Sequence, residues 1–321
     1  MPSQPEVHKG VVVVLAGGLS HEREISLRSG ARVAQALRDR GREVIEADVN
    51  AGLIALLQSL DAPVVFPLLH GGVGEDGGVQ QVLELLGVPY VGSDPSASRR
   101  TFNKAICGPL LARAGLSTPT KDALPKDVFR ELGAEALMDR LGEQIGYPMI
   151  VKPARCGSAL GVTKVTDASG LAAAMVGAYS YGDVAVIERF IDGTEVAVPV
   201  IDMADGLTAL PPVEIRPNSG VYDYNARYTP GATRFITPAD LPASVSAACQ
   251  DAAVRAAEVL GLRDLCRADI IVDASGTPYI LELGTAPGMT STSVVPLAVQ
   301  AAGGDFGAVC AHLVDVAAAR G

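Results

Sequence analysis

No two cysteines stand in a C-x-x-C spacing. The five present (Cys107, Cys156, Cys249, Cys266 and Cys310) are scattered and odd in number, which supports neither a zinc knuckle nor a disulfide framework. The four histidines (His8, His21, His70 and His312) show no ligand spacing either, so zinc is not expected. Long apolar runs are missing as well. The run at residues 11–16 is far short of the roughly 20 residues of a spanning helix, and no other stretch approaches that length. The opening MPSQPEVHKG has no basic region followed by an apolar run, so secretion through a signal peptide is not expected. Positive charge is short too: a net charge of −10 argues against a duplex nucleic-acid binder, which needs a basic patch. Tryptophan is absent, and six lysines stand against twenty arginines, so each lysine is worth inspecting. The expectation is a cytoplasmic protein with neither a membrane nor a nucleic acid as partner.

What is present is ordinary globular material. With 48% hydrophobic and 19% charged residues over 321 positions, the chain can bury a large core spread over two or three domains. VVVVLAGG (11–18) is a continuous apolar run ending in two glycines, the pattern of a buried parallel strand and a tight turn. A helix-period stretch follows and closes at Gly41, then strand-like EVIEADV (43–49) and PVVFPLLHG (63–71). Strands alternating with helices predict a parallel α/β sheet with functional groups at the carboxyl ends of its strands, where His21, Glu22 and His70 fall. GSDPSAS breaks the pattern and suggests a boundary near residues 92–97. Beyond it lie YPMIVKPA (147–154), VTKV, VAVIERF (184–190) and TEVAVPVI (194–201). An irregular stretch at 217–238 and a helix at about 243–261 follow. The strands CRADIIVD (266–273) and PYILELG (278–284) are joined by ASGT as a hairpin, and the tail to residue 319 is helical.

Four constellations carry chemistry. Lys152 is delivered by a strand to a loop of small residues, ARCGSALG, whose backbone N–H groups can approach phosphate oxygens while the ammonium supplies charge. Alone, this pattern is equally a turn with a surface lysine. Glu188, at a strand end before Phe190 and Ile191, with Glu195 beyond, suits an adenine slot and a ribose-binding acid, although an acid at a strand end is usually just solvated. Residues two apart on a strand share a face, so Asp269 and Glu282 converge across the hairpin as hard oxygen ligands for magnesium. Like charges placed opposite each other are destabilising without a cation, which favours metal over a mere pair of exposed acids. In TAPGMTSTS (285–293), Gly288 can expose an N–H to an oxyanion, and the serines ending at Ser293 can bond a carboxylate or cap the next helix.

Together the ordered motifs AGGLSHEREISLRSG (16–30), HGGVGED G (70–77), KPARCGSALG (152–161), YDYNARY (222–228), RAD (267–269) and PGMT (287–290) make the chain resemble the D-alanine–D-alanine ligases of the ATP-grasp superfamily from about residue 11 to 314. The resemblance implies an α/β fold with an N-terminal parallel-sheet, nucleotide-fold-like domain (1–97) followed by a two-lobed ATP-grasp domain. Its central lobe would span 98–193, and its C-terminal lobe, bearing a mobile loop at 222–238, would span 194–321. It implies ATP-dependent ligation of two D-alanines through an acyl phosphate, and a homodimer. Lys104 and Lys152 resemble the phosphate-binding lysines. Glu188, Arg189, Phe190 and Ile191 resemble the adenine contacts, and Glu195 the ribose contact. Asp269 and Glu282 resemble magnesium ligands, and Arg267 with the Gly288 N–H the oxyanion stabilisers. Glu22, Ser158 and Tyr228 resemble a hydrogen-bonded triad that closes the site, His70 a group near the first D-alanine, and Ser293 a contact to the carboxylate of the second.

Two positions depart from the family pattern. Gly284 stands where a metal-binding asparagine is usual, which implies two magnesium (or manganese) ions with the second site weakened. Arg227 stands for a loop lysine, and keeps the charge and the grip on phosphate. Two alternatives stay open: a related ligase with a different second substrate, which Tyr228 disfavours, and a catalytically weakened nucleotide-binding relative.

Overall fold

The apolar run at the start becomes strand β1 (Val12–Leu15), buried at all four positions. The computed structural model describes residues 7–203, 206–218, 222, 226, 227, 229 and 231–321. Strand β1 lies between β2 (Val44–Ala47) and β3 (Val64–Pro67) in a parallel sheet of order β2-β1-β3. Helix α1 (Arg23–Arg38) buries Ser26, Ser29, Gly30, Val33, Ala34 and Leu37, one face at helical period. At Gly30 the helix meets the chain so closely that a Cβ would lie 2.5 Å from the Ala16 Cβ. Val12, Val14, Val64 and Phe66 pack on that helix. Val13, Leu15 and Val65 pack on the other side against α2 (Leu53–Ser59) and α3 (Gly78–Leu85). Cover on both faces is why β1 is apolar throughout rather than alternating.

Asp94 caps α4 (Pro95–Phe102), accepting from the Ala97 N–H at 2.8 Å, and Asn103 caps α5 (Lys104–Arg113). The stretch that breaks the sequence pattern is thus a helix start, and α4 runs straight through residue 97. Ala97, Cys107 and Leu111 pack on the last sheet of the chain, with Val196 and Val198.

The next sheet is antiparallel. It comprises β4 (Lys121–Pro125), β5 (Met149–Pro153), β6 (Thr163–Val165) and β7 (Val184–Arg189) in the order β4-β7-β5-β6. Helices α6 (Lys126–Leu132), α7 (Glu135–Ile145) and α8 (Ala168–Tyr179) fill its connections. Met149, Val151, Ala185 and Ile187 pack against Leu141, Leu171 and Met175. Alternation along a strand then sends Ile150, Lys152, Val186 and Glu188 to the opposite face.

The last sheet holds β8 (Thr194–Met203), β9 (Gly206–Ala209), β10 (Val213–Pro217), β11 (Thr233–Ile236), β12 (Leu265–Val272) and β13 (Pro278–Gly284). Its order is β11-β10-β8-β12-β13, with β9 paired to β8. Part of the stretch expected to be irregular is therefore a strand, β11, in antiparallel register with β10. Val196, Val198 and Val200 face α9 (Ala243–Leu260), while Ala197 packs against α10 (Val294–Ala301). The helical tail is two helices, and the second, α11 (Phe306–Ala318), returns to the first sheet through Leu313 and Val314. No single helix among the described residues is long and apolar enough to cross a membrane.

Candidate active site

Two cavities adjoin between the sheets. The smaller, about 180 Å³, lies against the open face of the second sheet and against β12 and β13. The larger, about 410 Å³, is lined by the loops after β1 and β3, the Ser158 loop and residues 284–294. Lys104, Tyr222, Arg227 and Glu282 line both, so the boundary between them is strongly charged.

Lys152, Glu188, Arg189, Phe190, Ile191, Glu195 and Asp269 line the smaller cavity. Lys152 Nζ stands 2.5 Å from Glu188 Oε1, and both side chains are buried. Burial disfavours either charge, but Lys152 and then Lys121 pull the Glu188 carboxyl below its usual range, and Glu188 with Glu282 carries Lys152 above its own. Burial also raises Glu195 to about 7, against the pull of Arg227. The Lys164 ammonium sits 3.5 Å from the centre of the Phe190 ring and Arg227 4.2 Å from that of Tyr222.

Asp269 and Glu282 are direct partners across β12 and β13, as their spacing predicts. Beside them Leu281 is an extra residue, a bulge the sequence pattern did not signal. The protein itself relieves the repulsion between the two acids. Arg267 Nε and Nη2 lie 2.6 and 2.7 Å from the two oxygens of Asp269, and Lys104 Nζ lies 3.1 Å from Glu282 Oε2. The electrostatic case for a metal therefore loses its force, and what favours magnesium is the donor set, two carboxylates offering hard oxygens. Among the described residues no three His, Cys, Asp or Glu side chains cluster as a closed metal cage. Burial works against the Glu282 charge, yet Lys104, Lys152 and Arg227 hold its pKa at about 2. Burial likewise opposes the Arg267 charge, and Asp269 outweighs it and pushes its pKa up.

Glu22, His70, Ser158, Arg267, Gly284, Gly288 and Ser293 line the larger cavity. Ser158 donates to the Glu22 carboxylate across 136 residues of chain. Ser158 and the following Ala159 hold φ of +51° and +56°, a conformation that side-chain-bearing residues seldom adopt outside tight functional turns. Tyr228, the third member of the expected triad, lies outside the described residues. His21 is exposed and lines neither cavity.

His70 is engaged at both ring nitrogens. Nδ1 lies 2.9 Å from the Ala286 carbonyl, which only an N–H can satisfy, so Nε2 is left to accept from Ser29 Oγ at 3.4 Å. Ser29 Oγ in turn accepts from the Met289 N–H at 3.1 Å. Burial lowers the His70 pKa, which suits this neutral tautomer. The network clasps the turn that carries Gly288. There a Cβ would stand 2.8 Å from Ser293 Oγ, so a larger residue would have to push that hydroxyl aside. Ser293 begins α10 without capping it through its side chain; its hydroxyl turns back to the Thr290 N–H at 3.0 Å.

Sequence reasoning passed over Ser29, Glu75 and Lys121. Glu75 stood within a quoted motif, and Lys121 was one of few lysines. Burial and the neighbouring Glu22 push Glu75 up to about 8. The native state then keeps a proton that the unfolded chain, titrating near 4.5, gives up, so this group makes stability fall as pH rises between those values. Glu75→Gln, which stays neutral, should flatten the fall. Melting temperatures of both forms at several pH values in that window check this, and parallel curves would count against it.

The family described as D-ala D-ala ligase C-terminus matches residues 110–315, and the D-ala D-ala ligase N-terminus matches residues 45–93. Over 309 residues the chain is 40% identical to a D-alanine–D-alanine ligase of Polaromonas naphthalenivorans strain CJ2, covering 96% of this chain and 94% of that one. It is 42% identical to one of Anaeromyxobacter sp. strain Fw109-5, covering 96% and 97%. Among solved structures, the VanG D-Ala:D-Ser ligase from Enterococcus faecalis superposes with a TM-score of 0.82 at 28% identity, covering 96% and 99% of the two chains. The ATP-complexed D-alanine–D-alanine ligase from Bacillus anthracis gives 0.80 at 28%, covering 97% and 98%. With matching family models over most of its length and relatives at about 40% identity, the chain belongs to the D-alanine–D-alanine ligase family.

Proposed function

We propose that this enzyme joins two D-alanines at the expense of ATP, supplying the dipeptide for peptidoglycan precursors. The observation that carries this is the charged boundary formed by Lys104, Arg227 and Glu282 between the two cavities. ATP in the smaller cavity places its γ-phosphate there, with Glu188, the backbone near Arg189 and Ile191, and Phe190 around adenine, Glu195 at the ribose, and Lys104 and Lys152 on phosphate oxygens. A carboxylate oxygen of the first D-alanine attacks the γ-phosphorus, and the bond to ADP breaks. The amine of the second attacks the resulting acyl phosphate carbon. Arg267 and the Gly288 N–H stabilise the tetrahedral oxyanion, and phosphate departs, taking up the proton that the amine gives up. Ser293 holds the second carboxylate, and His70, with both nitrogens engaged, shapes the first subsite through the turn it clasps. Glu22, Ser158 and Tyr228 close the site against water, which an acyl phosphate requires.

Asp269 and Glu282 would hold magnesium, which neutralises charge on the transferring phosphoryl group. We read the chain as three units, 1–97, 98–193 and 194–321, a division that the presence of one sheet in each supports, although α4 and α5 pack on the last sheet. On the family resemblance the enzyme works as a homodimer in the cytoplasm. ADP release measured with D-alanine, D-serine and D-lactate as second substrate tests the proposal, and D-alanine is expected to be preferred. The likeness to a D-Ala:D-Ser ligase makes D-serine the competing outcome. No release with any of them would leave only a nucleotide-binding protein.

Gly284 gives a separate expectation. It shares a face with Glu282, and a Cβ there would meet only Arg267, at 3.7 Å and beyond, so a side chain fits. Gly284→Asn adds an oxygen toward the metal and should lower the magnesium concentration for half-maximal rate by about tenfold, as supporting groups around metals commonly do. Superimposable magnesium titrations of the two forms would show that the missing oxygen does not matter.

A further inference from the structure

Lys121 opens β4 and is the direct cross-strand partner of Glu188 on β7, so the two side chains share a face. Its ammonium stands 2.9 Å from Glu188 Oε2, while Lys152, from the strand on the other side of β7, holds Oε1. One carboxylate is thus buried between two ammonium groups, with side-chain exposures of 6% for Lys121, 3% for Glu188 and 7% for Lys152. The two lysines are not equivalent. Lys152 and Glu188 line the smaller cavity, and Lys121 does not. It runs instead along α5, where Gly108 leaves room for its stem: a Cβ at 108 would lie 2.8, 2.9 and 3.0 Å from Lys121 Cδ, Cε and Nζ.

We infer that Lys121 is a positioning residue for ATP, the standing counter-ion of Glu188 that frees Lys152 for phosphate. The inference rests on the proposed placing of ATP, with Glu188 at adenine and Lys152 on a phosphate oxygen. A buried carboxylate that loses its only cation is strongly destabilised. If Lys152 were that cation, each arriving phosphate would have to strip it from Glu188. With Lys121 in place, Glu188 stays ionised and fixed, able to accept from the adenine amino group, while Lys152 turns to the phosphate. The three groups also carry one net positive charge, which favours an anionic ligand.

The test is the ATP dependence of ADP release at saturating D-alanine in the full-length enzyme, for Lys121→Met, Glu188→Gln, their double variant and Glu188→Leu. Lys121→Met should raise the KM for ATP about tenfold or more, with kcat changing far less, the order expected when a buried carboxylate loses one of its counter-ions. In the Glu188→Gln background, where no charge is left to neutralise, the same change should add no further rise. An unchanged KM in Lys121→Met beside a raised one in Glu188→Leu overturns the inference while leaving the placing of adenine intact. An unchanged KM in Glu188→Leu, which unlike glutamine offers adenine no acceptor, overturns that placing instead, and the inference with it. Equal rises in both backgrounds would mark Lys121 as merely structural and overturn its role. Should Lys121→Met fail to fold, Lys121→Gln decides, because it keeps a polar donor at that place but removes the charge. A raised ATP KM supports the inference, and an unchanged one overturns it.

Discussion

Lys152→Ala is expected to lower kcat/KM for ATP by about 100-fold or more while the protein stays folded. Lys152 is buried and points into the smaller cavity from β5, so no water can replace its charge at low cost. A hydrogen bond to a charged group contributes on the order of 1.5–3 kcal/mol net, and losing it together with the field on the phosphates sets that scale. The fold should survive because Glu188, which loses Lys152 at 2.5 Å, keeps Lys121 at 2.9 Å. Steady-state kinetics across ATP concentration, beside a thermal melt, measure both parts. Wild-type turnover at subsaturating ATP would remove Lys152 from the phosphate site.

Arg267→Ala should lower kcat by about 100- to 1,000-fold, the cost seen when a donor to a developing oxyanion is removed. Its guanidinium is locked by Asp269 through two hydrogen bonds of 2.6 and 2.7 Å, so it is already oriented before substrate arrives. Arg267→Lys keeps the charge but gives up this fork, and should recover only part of the rate. The comparison separates charge from geometry. If both variants kept kcat within about threefold, the oxyanion would be served by other donors, the Gly288 N–H foremost. Loss of Arg267 also leaves Asp269 without its partner, so the alanine form should be less stable than the lysine form.

Much of this protein could be read along the chain. Strands β1, β5, β7, β8, β12 and β13 announce themselves as apolar runs between breakers, and the hairpin of β12 and β13 sets Asp269 opposite Glu282 through local pairing alone. The motifs place almost every expected site residue around one of the two adjoining cavities. Other elements carried no such signal. Strand β4, KDALP, mixes charged and apolar residues, is only partly buried, and becomes a strand only because β7 offers it an edge. At residues 92–98, Asp94 and Pro95 read as a break because the same residues that end a pattern also start a helix.

Spacing in sequence determined which side chains share a face, since the periods of helix and strand are properties of the local backbone. It also supplied the kinds of group the chemistry needs: lysines before small-residue loops, paired acids, and an arginine beside them. Only the tertiary structure decided which of these neutralise one another. Ser158 meets Glu22, His70 meets the Ala286 carbonyl, and Lys121 meets Glu188, across 136, 216 and 67 residues of chain. Whether two acids need a metal or already have an arginine and a lysine depends on distances of a few ångströms between different strands and helices. Electrostatic energy follows that separation and the burial around it, and neither is a property of the order of residues along the chain.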